Sequence, residues 1–234
     1  MAVRINAAIK ECVGTACLVY FGCGAACAWG SADGLSQLAI ACTFGSVAAV
    51  LGEFLEGQHN CSVTMYLALC GRLAFPQALL NIGAQCAGAV LGALALLLSE
   101  DRTGTLASTQ LKGFQGGGRI EILRTGSALL AEALCTCALC LVAETPWALG
   151  VTVSTSHILL VRATGCSLNP ARSLGPALVT WIMLGQGEPS RHLWLCVAPL
   201  SGGLLAAAIK KYQRGAARRE NQIAGRGEER VSPF

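Results

Sequence analysis

Three ionisable side chains stand alone in long apolar stretches of this sequence, and they are the first candidates for chemistry. They are Glu11, Glu132 and His157. A titratable group in an apolar environment is costly unless it is hydrogen-bonded, so it marks a structural contact, a proton relay or a polar path. The two glutamates fit either of the first two roles, and His157 is a candidate for the third.

Catalysis and metal binding are disfavoured by the remaining residue types. An enzyme needs a nucleophile with a base, or a metal, in a polar cleft, and the best pair in the sequence is Cys166 with His157. Cys135, Cys137 and Cys140 are spread around a helix with no histidine close in sequence, which does not suit a metal site. We therefore expect no enzyme and no metal, cofactor or nucleic-acid site, and we interpret the 13 cysteines as small buried hydrophobic residues.

Two asparagines begin short segments that predict half-helices. Asn60 and Asn169 start the segments 60–72 and 169–185, which are too short to span a bilayer. Asparagine is a good helix N-cap, and Pro170 suits a first helical turn because its missing N–H would have no partner there. Ala171 then allows close packing. We expect both segments to be re-entrant.

The elements that position these residues follow from composition. Of the 234 residues, 53% are hydrophobic and 13% are charged, so most of the surface cannot face water. A hydrocarbon core of about 30 Å needs about 20 apolar residues per helix. Six runs with little or no charge predict an all-α membrane protein with six transmembrane helices: 12–29, 34–52, 73–99, 125–143 (broken by Glu132), 145–161 and 192–209.

The order of these elements repeats, as helix, helix, half-helix, helix in each half. We therefore divide the chain into a first repeat (1–99, with half-helix 60–72), a glycine-rich surface loop (100–124), a second repeat (125–209, with half-helix 169–185) and a basic tail (210–234). We expect the tail to be solvated, with anionic lipid as the alternative contact. Three spans per half invert the second repeat, so the two half-helices should meet end to end.

The basic residues give the orientation. An even number of spans places both termini on one side, and ten of the 17 lysines and arginines then lie on that side. Basic residues are enriched on the cytoplasmic side of membrane proteins. We therefore predict an integral, multi-pass protein with both termini in the cytosol.

The sequence around Asn169 reads Asn-Pro-Ala-Arg-Ser, and with it the chain resembles the aquaporins. The resemblance continues through Glu11 with Gly14-Thr15 to Gln85, and from there to Pro199 with Gly202-Gly203, so only the loops and the tail lie outside it. It implies an aquaporin fold, a homotetramer with one pore per subunit, and glutamates that hold the re-entrant backbone. It also implies that Asn60 and Asn169 offer amide donors to water, while the two facing helix N-termini repel cations.

The first half-helix departs from the family pattern. Where Gly-x-His-x-Asn-Pro-Ala is usual, this chain reads Gly57-Gln58-His59-Asn60-Cys61-Ser62, with one residue fewer before the asparagine and no proline after it. The missing residue could tilt the half-helix or move Asn60 off the pore axis. Cys61 either lines the pore or packs at the junction of the half-helices.

The resemblance also implies a selectivity ring near the outer mouth. His157 lies twelve residues before Asn169, the family spacing for the histidine of water-selective members, and Cys166 and Arg172 take two further ring positions. The fourth position is Phe44 if the Phe-Gly pair is matched, or Ala41 by ungapped counting. In the sixth span, Leu195 and Cys196 stand where water channels tend to have aromatic residues.

A passive channel for water that excludes ions and protons is therefore the predicted function. The alternatives are a channel for other small neutral solutes, such as glycerol, urea, ammonia or hydrogen peroxide, and a poorly conducting member with a structural role. Its partners would be the transported solute and the lipid bilayer.

Overall fold

The computed structural model describes residues 3–30, 33–99, 104–111, 119–187 and 192–231, of which 222–231 are described through their backbone alone. These ranges contain only helices and loops. Their eight helices are α1 (Ile5–Trp29), α2 (Gly34–Leu55), α3 (Cys61–Leu69), α4 (Phe75–Ser99), α5 (Arg119–Leu141), α6 (Pro146–Leu160), α7 (Pro170–Leu184) and α8 (Trp194–Val231).

Local sequence explains where several helices begin. Asp33 caps α2 by accepting from the backbone N–H and the hydroxyl of Ser36, which also lowers the pKa of Asp33. Pro146 and Pro170 occupy first-turn positions of α6 and α7, where no intrahelical N–H bond is lost.

Five helices within the described ranges are long and apolar enough to cross a membrane: α1, α2, α4, α5 and the first part of α8. The predicted fifth span, 145–161, is represented by α6, which has 15 residues. At 1.5 Å per residue α6 is about 22 Å long, shorter than the roughly 30 Å hydrocarbon core. Its length resembles that of the half-helix α7, which also has 15 residues.

The helix contacts of the first half of the chain have counterparts in the second half. The long helices pair as α1 with α4 and α5 with α8, while the half-helices pair as α3 with α8 and α7 with α4. The helix pair α2 and α6 lies on the axis that relates the halves, and a Cβ at Gly150 would lie 2.6 Å from Gly45 O. Small residues at these crossings let the backbones approach, as is usual between membrane helices.

Two boundaries differ from the sequence prediction. The connecting loop was expected to extend to residue 124, but α5 already begins at Arg119, with Glu121 in its first turn, where an acidic side chain is favourable. The glycine run 116–118 lies outside the described residues. The tail was predicted as a separate solvated segment from residue 210, but α8 continues through it to Val231, because extending an existing helix avoids the cost of nucleation. The partly buried Arg214 also donates to Cys70 O at 2.8 Å, beside the end of α3.

Candidate pore and constriction

The two half-helices meet through their capping asparagines. Asn60 Oδ1 accepts from the N–H groups of Ser62 and Val63 in its own helix, while Asn60 Nδ2 donates to Leu168 O at 3.0 Å. In the other half, Asn169 Oδ1 accepts from Ala171 N, and Asn169 Nδ2 donates to His59 O at 2.8 Å. An amide NH2 has two donors, so one on each asparagine is left for another acceptor.

A buried carboxylate holds the backbone before each asparagine. Glu11 accepts from Gln58 N at 2.8 Å and His59 N at 2.6 Å, while Glu132 accepts from Ser167 N at 2.8 Å and Leu168 N at 3.0 Å. Each pair of N–H groups belongs to the two residues immediately before the asparagine. The glutamates therefore occupy equivalent positions in the two halves.

The shorter first motif still reaches this arrangement. His59 and Leu168, the residues directly before the asparagines, both have left-handed backbones with φ of 49° and 53°. The missing residue therefore falls outside the part of the loop that Glu11 holds. Asn60 therefore lies at the junction of the half-helices, as Asn169 does.

The replacement of proline by Cys61 adds a contact that proline could not make. Cys61 N donates to Asn169 Oδ1 at 3.2 Å, so the first residue of α3 is bonded to the cap of α7. Pro170, in the equivalent position of α7, has no N–H to return this bond. The junction is therefore asymmetric at this contact.

The ring residues come together as a compact cluster. Phe44 and His157 stack with ring centroids 4.1 Å apart, and the Arg172 guanidinium lies 5.0 Å from the Phe44 centroid. All three side chains are buried. Of the two second-span candidates, Phe44 is the residue that contacts both His157 and Arg172, and Cys166 is buried in the loop before α7.

Hydrogen bonds fix the polar members of this cluster. His157 Nδ1 lies 2.9 Å from Val153 O, so Nδ1 carries the proton and Nε2 presents a lone pair. Arg172 donates to Ala107 O at 3.1 Å and to Gly165 O at 3.4 Å. His157 Nε2 and Arg172 Nε have no hydrogen-bond partner among the described residues. Both atoms are buried, so a small polar molecule reaches them only where the side chains around them separate.

A cavity lies on each side of the cluster. The larger has a volume of about 380 Å³ and extends from Glu53 and Glu144 past both asparagines to Phe44, His157 and Arg172. The smaller, of about 310 Å³, is bounded by the 104–111 loop, Gly165 and Arg172. Arg172 lines both cavities, so the Phe44, His157 and Arg172 cluster lies where the two cavities approach each other.

The predicted site residues divide into two groups. Asn60, Asn169, Phe44, His157 and Arg172 line the larger cavity. The four others do not line either of these two cavities, although all are buried: Cys61, Cys166, Pro170 and Ala171.

His59 is a cavity residue that sequence reasoning did not single out. Its carbonyl accepts from Asn169, while its ring lies beneath Gly14 and Gly57, with Nδ1 3.5 Å from Glu11 Oε2. A side chain on either glycine would overlap the ring. The sequence feature that could have identified His59 is its position directly before Asn60 in the shortened motif.

Comparison with known proteins agrees with this architecture. The model of the major intrinsic protein family matches residues 2–210. Aquaporin-5 of Rattus norvegicus is 31% identical over 225 residues, covering 88% of this chain and 80% of that protein, and Aquaporin-2 of Bos taurus is 30% identical over 226 residues, covering 88% and 78%.

A solved structure shows the same fold. The X-ray structure of the aquaglyceroporin from Plasmodium falciparum superposes with a TM-score of 0.72 at 19% identity, covering 87% of this chain and 94% of that one. With the family match over nearly the whole chain and the inverted pair of half-helices, the fold is settled. The chain belongs to the major intrinsic protein family, as an all-α multi-pass membrane protein with the aquaporin fold, in a family of passive channels for water or small solutes.

Proposed function

We propose that this chain conducts water selectively and excludes ions and protons. The observation that supports this most directly is the compact cluster of Phe44, His157 and Arg172, which lies between cavities of about 380 and 310 Å³ and would form the constriction of the pore. Water can donate and accept hydrogen bonds in the same small volume. It therefore suits a gap bounded by a guanidinium donor and the Nε2 acceptor of His157.

Exclusion of cations follows from the half-helices. The N-terminus of an α-helix carries roughly half a positive charge, and α3 and α7 present theirs to each other beside Asn60 and Asn169. Arg172 adds a full charge at the constriction. A cation would lose its hydration where both helix ends and Arg172 repel it, whereas a water molecule could accept a hydrogen bond from the remaining amide donor of each asparagine.

Exclusion of glycerol depends on the stacked rings. Phe44 lies against His157, so a carbon backbone could pass only if one ring moved. Leu195 and Cys196 leave the sixth-span side free of aromatic residues, but both are buried, and Leu195 O accepts from Ser167 Oγ at 2.7 Å. Their departure from the pattern of water channels therefore does not by itself widen the gap.

The close stack also favours one alternative function. Ring centroids at 4.1 Å leave no open path between Phe44 and His157, which suits a poorly conducting member with a structural role. In the water-channel proposal, water passes beside the stack along Arg172, or a small rotation of Phe44 opens the path. Water permeability separates the two functions.

The assembly and orientation proposed here come from the family resemblance and from the charge distribution. We expect a homotetramer with a pore in each subunit and both termini in the cytosol. Under this orientation Glu53, Glu56 and Glu144 surround the inner mouth. The exposed pairs Lys10 with Glu56 and Arg72 with Glu144 lie at the same end.

The test is osmotic shrinkage of proteoliposomes in an impermeant osmolyte, followed by glycerol uptake. We expect water flux above that of empty liposomes and no glycerol uptake. The double variant Phe44→Ala, His157→Gly should admit glycerol, while Phe54→Ala, an exposed residue of the same helix, should behave as wild type. If folded wild-type protein gives no water flux above that of empty liposomes, the proposal is wrong. If Phe44→Ala then conducts water, the stack of Phe44 on His157 is what closes the wild-type path.

A further inference from the structure

The outward face of α8 is apolar along the membrane span and becomes basic directly after it. Trp194, Val197 and Leu204 are exposed, and their spacing of three and seven residues places them on one face of the helix. Lys211 and Tyr212 follow Leu204 by seven and eight residues, which places them on the same face, and both are exposed. The face that is free to meet lipid tails therefore continues into a cation and an aromatic residue.

The length of α8 places Tyr212 at a surface of the bilayer. Trp194 and Tyr212 are 18 positions apart. At 1.5 Å per residue this is about 27 Å, close to the hydrocarbon thickness of about 30 Å. Aromatic residues are enriched at both membrane surfaces, which suits these two positions. With both termini in the cytosol, as proposed above, Tyr212 lies at the cytosolic surface, and Lys211 lies beside it.

Arg214 fixes which side of the helix is turned outward here. It is directed into the protein, where its guanidinium donates to Cys70 O at 2.8 Å. A different side of the helix carries Lys211, Gly215 and Arg219, which follow one another at intervals of four residues, and all three are exposed. A Cβ at Gly215 would have no atom of the described residues within 4 Å, so the space between the two cations is open.

The charges of Lys211 and Arg219 are not neutralised by the part of the protein around them. Two other exposed cations at this end of the bundle form ion pairs with glutamates, one of them Lys10 with Glu56. Among the side chains that the structure describes, none forms an ion pair with Lys211 or Arg219. Residues 210–219 contain five basic residues and no acidic one. An anionic partner would therefore complement this face.

We propose that Lys211, Gly215 and Arg219 bind the headgroup of an anionic phospholipid. The cytosolic leaflet is rich in such lipids and attracts basic segments that follow a transmembrane helix. The lipid phosphate lies over Gly215, about 5 Å beyond Tyr212 along the helix and between the two cations. The acyl chains extend along Leu204 and the rest of the apolar face. Net negative charge, rather than the phosphate alone, selects the lipid.

Native mass spectrometry of the purified full-length protein in detergent tests this site. Titration with phosphatidylserine, and separately with phosphatidylcholine, gives the lipid concentration at which half of the protein carries lipid. Lys211→Gln, Arg219→Gln removes both charges, and Lys211→Arg, Arg219→Lys keeps them. The matched control is Arg119→Gln, Arg124→Gln, which removes two exposed cations from the start of α5 and leaves the same net charge as the first variant.

We expect wild-type protein to bind phosphatidylserine at about tenfold lower concentration than phosphatidylcholine, because each cation near an anionic surface changes binding by about fivefold. The variant without charges at 211 and 219 should lose most of this preference. The variant that keeps these charges and the α5 control should both retain it. Gel filtration shows that each variant is folded.

Three outcomes would overturn the proposal. They are equal binding of the two lipids by wild-type protein, a preference that persists in the folded variant without charges at 211 and 219, and an equal loss in the α5 control. The last outcome would assign the preference to net charge instead of this face. None of these measurements depends on whether the channel conducts water.

Discussion

Cys61 N donates to Asn169 Oδ1 at 3.2 Å, across the meeting point of the two half-helices. Asn169 therefore accepts from both half-helices while its amide donates to His59 O. One neutral side chain therefore satisfies N–H groups of two facing helix ends without adding a charge between them.

A negative charge at this position should weaken proton exclusion. Asn169→Asp keeps the oxygen acceptor for Cys61 N and Ala171 N, loses the donor to His59 O, and neutralises the positive field of the helix ends. We expect folded protein whose proteoliposomes dissipate a pH gradient faster than wild type, measured with an internal pH-sensitive dye. Glu53→Gln, an exposed residue at the end of the larger cavity, is the control for altered surface charge. Unchanged proton leak in the Asp variant would contradict the role of the helix ends.

Removing either buried carboxylate should destabilise the fold to a similar extent. In Glu11→Gln and Glu132→Gln, an amide NH2 replaces an acceptor and faces backbone donors, leaving at least one buried group unpaired, at about 1–3 kcal/mol each. The midpoint of thermal unfolding in detergent measures the change. Because the two glutamates bind equivalent N–H pairs, a large loss in one variant and none in the other would contradict their equivalence.

The space for Phe44 depends on Gly22 of α1. A Cβ at Gly22 would overlap the Phe44 ring, whose other face lies against His157. Gly22→Ala should therefore press the ring toward His157, lower water permeability and cost about 1–3 kcal/mol through overpacking. Gly24→Ala, whose Cβ would lie 3.3 Å from Leu96 Cδ1, is the matched control. Equal permeability in both variants would show that Phe44 does not limit flux.

The contact between the tail helix and α3 should be measurable locally. Arg214→Ala removes the hydrogen bond to Cys70 O and should cost about 1 kcal/mol, because the pair is partly buried and involves a charged donor. Hydrogen exchange of the backbone at the end of α3 should increase. Arg218→Ala, exposed on the same helix, should leave that exchange as in wild type.

The half-helices were predictable because their signals are local. Asn60 and Asn169 cap whatever helix follows them, and Pro170 restricts a first turn regardless of what packs around it. The choice between Phe44 and Ala41 was different, since it depended on where a gap falls in an alignment. Only the side-chain contacts with His157 and Arg172 distinguish the two residues.

The other differences also come from contacts distant in sequence. The place of His59 beneath Gly14 and Gly57 depends on packing between α1 and the loop that follows α2. The tail helix is also held by Arg214, which bonds Cys70, 144 positions earlier in the chain. Its composition of arginine, glutamate and glycine carries no sign of that contact.

Because Arg172 lines both cavities, the two cavities and the gap beside Arg172 would act on water flow as hydraulic resistances in series. In such a path the narrowest segment sets the total, and wide segments contribute little. Substitutions at Glu53 or Glu144, which line the larger cavity, would then change which solutes accumulate in that cavity but would hardly alter the flux. A shift of the Arg172 side chain by a fraction of an ångström would change the total flux through the subunit.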